Sequence, residues 1–269
     1  MFSRLQSWFN YLTTDPVGFI VYAFYTAATV LLSLMLHEVA HGYVALRCGD
    51  PTAKWMGRLT LDPRKHLDPI GTVSMLLLGF GWAKPVPVNP RNFSNYRRDD
   101  FLVSIAGICV NMTLFLLCTA LSIGVNRLMW SGEYLTFIKD YTGSLKPMVD
   151  PSYMIPYQIM SGTLDAAQFG GALRMPWLQY VQRFLLMMSQ INLSLAIFNL
   201  LPIPPLDGYH LLNDTLLRGR FQLTPQMFQI TRIVLLVACF SGILGNLLGT
   251  INSTIYDAVL NLFLMMTGG

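Results

Sequence analysis

The sequence predicts an all-α polytopic membrane protein with about five to six membrane segments and a short re-entrant or extended element at 70–90. Three observations carry that prediction. First, 53% of the 269 residues are hydrophobic and only 12% are charged, roughly half the charge of an ordinary soluble domain, which is about 25%. One large soluble core would still need a charged surface, so that class is excluded. Second, apolar runs recur at the length of about 20 residues that a helix needs to cross about 30 Å of hydrocarbon. Third, basic residues are spread unevenly between those runs, as an oriented membrane protein requires.

The elements follow in chain order. Residues 1–16, MFSRLQSWFNYLTTDP, lack the compact apolar region and small-residue cleavage site of a signal peptide. They read as a short amphipathic lead-in that stays on the mature protein. Four segments qualify as spans, at roughly 17–46, 101–125, 177–200 and 226–250. A fifth, at about 253–267, is shorter and is expected to cross a thin region or lie partly in the interface. A sixth run, IGTVSMLLLGFGW at 70–82, covers only about 20 Å as a helix, so it is expected to dip in and return. After it, AKPVPVNP alternates Pro85, Val86, Pro87 and Val88. Proline cannot donate to a sheet ladder, and this piece is expected to be extended and non-helical. At membrane depth such a backbone must be buried in protein or line a wet cavity; a plain surface loop is the alternative.

Charge sets the expected orientation. Arg47, Lys54, Arg58, Arg64, Lys65, Lys84, Arg91, Arg97 and Arg98 lie between the first span and the next full one, and Arg218 and Arg220 follow the third. The connection 126–176 is nearly as long as the first of these but holds only Arg127, Lys139, Lys146 and Arg174. The positive-inside rule then puts 47–100 and 201–225 in the cytoplasm, with the N-terminus and 126–176 outside. At about fifty residues, 126–176 is too short for an added domain of usual size. Residues 1–269 therefore read as one membrane domain, with a core at about 17–215 and C-terminal helices at about 226–267. The excess of Lys and Arg (18) over Asp and Glu (14) is modest and calls for no nucleic acid. Cys48, Cys109, Cys118 and Cys239 show no C-x-x-C spacing and imply no disulfide framework.

The chemistry sits in the first span, in SLMLHEVAHGYVA at 33–45. His37 and His41 are one helical turn apart and share a face, where neutral imidazoles can hold one zinc ion in two tetrahedral positions. Glu38 is beside His37, badly placed as a ligand but able to reach a metal-bound water. That is the logic of H-E-x-x-H hydrolases. Ionisable groups in an apolar span cost about 2.5–3.5 kcal/mol each and default to function. A third protein ligand is required. His66 in RKHLDPIGT and His210 in LDGYHLL are candidates, though each reads better as a helix-end or supporting residue. Asp207, in FNLLPIPPLDGYHLL, is the acidic residue with an apolar, proline-kinked setting, and Gly208 leaves room beside it. With spans one and three running in the same direction, His37, His41 and Asp207 meet near the cytoplasmic boundary.

These residues carry a resemblance. HEVAH followed by NLLPIPPLDG resembles the site-2 protease family of intramembrane zinc metalloproteases, peptidase family M50, whose later motif is N-x-x-P-x-P-x-L-D-G. HLDPIGT at 66–72 and GWAKPVPVNP at 81–90 also match, so the similarity runs from about 30 to 215. The resemblance implies one Zn2+ per chain on His37, His41 and Asp207, with Glu38 as catalytic acid/base. The family often has A-G-P-x-x-N between the two motifs; AGICVN keeps Ala106, Gly107 and Asn111 but has Ile108 at the proline position. No PDZ or CBS domain accompanies the motifs, so the chain is similar to a minimal member. The implied partners are the lipid bilayer and transmembrane substrates such as membrane-bound regulators, with room for a regulatory membrane partner or a homo-oligomer. The implied location is a bacterial cytoplasmic membrane, multi-pass, with the active site near the cytoplasmic side.

Two further expectations concern the substrate. Asn111 and Asn199 are candidate donors to a developing oxyanion or to substrate backbone, against a role in bonding helices together. Val86 and Val88 are candidates to hold an unwound substrate strand by edge pairing. Rival classes fare worse: a di-iron desaturase needs more than the four histidines present, and a metal transporter would show repeat symmetry. A catalytically idle relative acting as a binding partner is opposed by the intact ligand set.

Overall fold

A computed structural model of the chain describes residues 2–68, 71, 83–215, 217 and 224–269. An N-terminal helix α1 (Phe2–Thr14) leads into α2 (Pro16–Arg47). The start of α2 is set locally: Asp15 accepts a hydrogen bond from the Gly18 N–H, and Pro16 takes the first helical position, where no donor is missed. A short α3 (Thr52–Trp55) precedes the second long helix, α4 (Tyr96–Met129), which the side chain of Asn95 caps. Then come α5 (Gly132–Thr142), α6 (Lys146–Val149), α7 (Met154–Ser161), α8 (Leu178–Asn199), α9 (Asp207–Thr215), α10 (Pro225–Ser241) and α11 (Ile243–Thr267).

The all-α polytopic prediction is borne out. Among the described residues four helical stretches are long and apolar enough to cross a membrane: Pro16–Arg47, Tyr96–Met129, Leu178–Asn199 and Leu247–Thr267; Pro225–Cys239 is apolar but shorter. The C-terminal part of the chain is divided differently from the expectation of a full span at 226–250 and a shorter segment at about 253–267. Gly242, at φ +81°, ends α10 in a left-handed conformation that only glycine adopts cheaply, and α11 then runs unbroken to Thr267. The run at 70–82 and the basic pair Arg218 and Arg220 lie outside the described residues, Gly71 excepted.

Helix α4 is the centre of the molecule, packing against α8 most extensively and then against α2. Polar side chains bridge these helices: Thr119 and Ser189 hydroxyls are 2.7 Å apart, and Asn192 Nδ2 donates to Ser33 Oγ at 2.9 Å. The connection 126–176 is a folded cap of helices rather than an open loop. Met129, Trp130, Met148 and Val149 are at most 1% exposed, and Asn126 Nδ2 donates to the Met148 carbonyl at 2.7 Å.

Candidate metal centre

Helix α2 delivers both imidazoles to one point. Their Nε2 atoms are 3.0 Å apart, and the Asp207 Oδ2 lies 3.3 Å from each. Asp207 gets there because α8 ends at Asn199 and the proline-rich turn brings the first residue of α9 back over α2 and α4. Gly208 permits that return, since a Cβ on it would stand 2.5 Å from the Leu201 carbonyl oxygen. His37 and His41 are buried, while the Asp207 side chain is 20% exposed.

The tautomers follow from the outer ring nitrogens. His41 Nδ1 is 2.7 Å from the Val103 carbonyl, which can only accept, so Nδ1 carries the proton and Nε2 of the neutral ring is a bare lone pair. His37 Nδ1 is 3.1 Å from the Asn111 amide, and Asn111 Oδ1 is buried with no partner. Amide orientation follows from the network around it; turned over, Oδ1 accepts from Nδ1–H and bares the Nε2 of His37 as well. Two lone pairs and a buried Asp207 Oδ2 without a hydrogen-bond partner then face one another, an arrangement that a cation resolves. Tetrahedral zinc ligands at about 2.0–2.2 Å stand about 3.3–3.6 Å apart. The three separations observed here come within a few tenths of an ångström of that, so the residues present fit one zinc ion. Among the described residues this is the one group of three or more such side chains close enough to hold a metal.

Two signals in α4 were legible only as motif matches. Gly107 presses against the imidazoles: a Cβ there would stand 2.6 Å from both His37 Nδ1 and His41 Nε2. Asn111 is fully buried against His37 rather than open to a substrate. Asn199 turns back on its own helix, with Nδ2 donating to the Leu195 carbonyl at 3.0 Å. His66 is fully buried and bonded to the Thr60 carbonyl, and His210 Nδ1 lies 3.2 Å from Asp100 Oδ2; neither is in the metal cluster.

The segment from Lys84 to Asn89 is non-helical and runs past Glu38. It is held at four points. Lys84 N–H donates to the His66 carbonyl at 2.8 Å, and Arg58 Nη2 donates to the Lys84 carbonyl at 2.7 Å. Val86 N–H donates to Glu38 Oε2 at 2.7 Å, and Asn89 N–H donates to Asp50 Oδ2 at 2.7 Å. Burial pushes the Asp50 carboxyl up, but bonds from Asn89, Thr52 and Asn92 outweigh it and leave it below its usual range. Gly42, beside His41, makes room for this segment: a Cβ there would stand 2.7 Å from Val86 Cγ1. Backbone groups in an extended chain alternate sides. The N–H of Lys84 and Val86 therefore share the inner edge with Glu38, and the opposite edge at Pro85 and Pro87 carries carbonyls and no donor.

A family described as "Peptidase family M50" matches residues 25–242. The chain is 35% identical over 239 residues to "Putative zinc metalloprotease YwhC" of Bacillus subtilis, covering 89% of this chain and 90% of that relative. It is 31% identical over 144 residues to "Putative zinc metalloprotease Rip2" of Mycobacterium tuberculosis, covering 49% of this chain and 55% of that one. No solved structure matches.

Proposed function

Because the chain belongs to peptidase family M50, we propose that it is an intramembrane zinc metalloendopeptidase that hydrolyses peptide bonds within or near transmembrane segments of membrane-bound proteins. The observation that carries this reading is the convergence of His37 Nε2, His41 Nε2 and Asp207 Oδ2 beside Glu38, at the end of a membrane-crossing helix.

His37, His41 and Asp207 would hold the ion. When bound, zinc supplies a Lewis acid that brings the pKa of water toward neutrality and polarises a carbonyl. The chain's own residues do the rest. Val103 and Asn111 fix the imidazoles with Nε2 inward. Glu38 takes a proton from the attacking water as its oxygen bonds to the scissile carbon, and returns it to the leaving amine nitrogen as the C–N bond breaks. Glu38 is half-buried and held by the Val86 N–H, which aims the carboxylate while no substrate is present.

A helical substrate hides its carbonyls in its own hydrogen bonds and must unwind before cleavage. We place the opened strand against residues 84–88. Pairing through Val86 requires the substrate carbonyl to take over the N–H that Glu38 now accepts, which frees the carboxylate as substrate arrives.

The deciding experiment uses purified protein and a membrane-protein reporter. Glu38→Gln is expected to keep the zinc content of the wild type and to lower hydrolysis by about 10²–10⁴-fold. A Glu38→Gln protein that still cuts refutes the role of Glu38. Wild-type protein that binds zinc but cuts nothing favours the transporter or idle-relative readings. Comparing membrane proteomes of cells carrying the active and Glu38→Gln proteins then identifies substrates.

A further inference from the structure

A second polar site lies at the far end of the membrane helices. Arg183 is in α8, a crossing helix, and is 4% exposed. Its Nη2 donates to the Ser161 carbonyl at 3.3 Å, and its guanidinium carbon lies 4.7 Å from the Tyr25 ring centroid and 5.9 Å from that of Tyr22. Its Nε has no partner, and among the described residues it forms no ion pair with a carboxylate. A cation so buried is costly without an opposite charge.

The guanidinium borders a cavity of about 290 Å³, whose wall includes Gly18 and Val21 of α2, Ser161 and Gly162 at the end of α7, and Tyr180 of α8. Asp165 also borders it, with its Oδ1 accepting from the Ala167 N–H. Gly162 makes the seat: at φ +80°, it leaves space where a Cβ would stand 2.6 Å from Arg183 Nη1.

Depth narrows the choice of ligand. Arg183 and Asn199 are 16 residues apart in one helix (199 minus 183), about 24 Å at 1.5 Å per residue. The cavity therefore sits at the membrane face opposite the metal centre, at the level of lipid headgroups. Val17, Ile20 and Phe24, on the neighbouring turns of α2, are 63–72% exposed and present an apolar surface for acyl chains.

We propose that this cavity binds a phosphate group, supplied by an anionic phospholipid of the leaflet opposite the metal centre, with the planar fork of Arg183 on its oxygens. The cavity volume suits a headgroup, falling at the lower limit of small-molecule pockets. The site does not rest on the peptidase reading.

The test is thermal unfolding of full-length protein stripped of lipid in a neutral detergent, with added phosphatidylglycerol, phosphatidylcholine or inorganic phosphate. Phosphatidylglycerol is expected to raise the melting temperature by several degrees, phosphatidylcholine less, and inorganic phosphate little. Arg183→Gln is expected to lose most of that rise while keeping wild-type zinc content. A native mass spectrum of wild-type protein should carry phospholipid adducts that Arg183→Gln lacks. An equal rise with inorganic phosphate overturns the headgroup assignment in favour of a soluble anion. No rise with any addition, or an equal rise in Arg183→Gln, overturns the site. If Arg183→Gln does not fold, Arg183→Lys serves, since it keeps the charge but loses the fork and should retain only part of the rise.

Discussion

Gly107 decides how closely α4 approaches the two imidazoles, and its missing side chain is as much a part of the metal centre as the nitrogens. Gly107→Ala places a methyl 2.6 Å from His37 Nδ1 and His41 Nε2, so something must shift. Overpacking of this kind displaces neighbouring side chains. The expected result is a folded protein with less than about half the wild-type zinc content by elemental analysis, and full occupancy would refute the steric argument. At this scale the sequence was informative where chemistry is local. The spacing of His37 and His41 follows from helix geometry alone, and Asp207 stood out by its apolar, proline-rich setting. Contacts between distant segments were hidden. Nothing in the sequence tells that Asn111 faces His37 Nδ1 rather than substrate, or that Asn199 bonds back to Leu195, because register between helices is set by packing.

The segment at 84–88 and helix α9 are the two elements that complete the centre. Val86→Pro removes the N–H that Glu38 accepts, and should keep zinc while lowering turnover by about 10²-fold, the usual cost of misplacing a catalytic group. Val88→Pro spares the Glu38 bond, so a comparable loss there would locate substrate pairing at Val88. Unchanged turnover in both variants would remove the segment from the mechanism. Helix α9 is tied to α4 through His210 and Asp100, with Asp214 beside them. Burial first, and then the neighbouring Asp100 carboxyl, raise Asp214 from 3.8 to about 7, against smaller opposing pulls from His210 and Arg97. The folded chain thus binds this proton more tightly than the unfolded chain, and stability falls as pH rises between about 4 and 7. Asp214→Asn cannot ionise and should raise the melting temperature at pH 8 more than at pH 5; equal shifts would contradict the assignment. Proline and valine alternation made the extended segment readable in advance. The break at Gly242 was not, because the apolar run continues through it and hydropathy does not register a single left-handed residue.

Across the whole molecule, hydropathy identified three of the four crossing helices closely; the fourth, Leu247–Thr267, contains the shorter segment expected at about 253–267, while the span expected at 226–250 is too short a helix to count among them. The helical cap at 126–176 escaped notice because its core contacts, such as Trp130 and Met148, come from short segments with weak periodicity. Orientation remains a prediction of charge distribution. A Tyr141→Cys protein, labelled in intact cells at a position that is 82% exposed, should react with an impermeant thiol reagent from outside. Reaction only after permeabilisation would reverse the topology and put the metal centre at the other face. The proline-bearing outer edge at Pro85 and Pro87 has a last implication for a crowded bilayer. Two such edges brought together would set oxygen against oxygen with no hydrogen between them, so neighbouring copies have no means of zipping into filaments through the edge that faces away from Glu38.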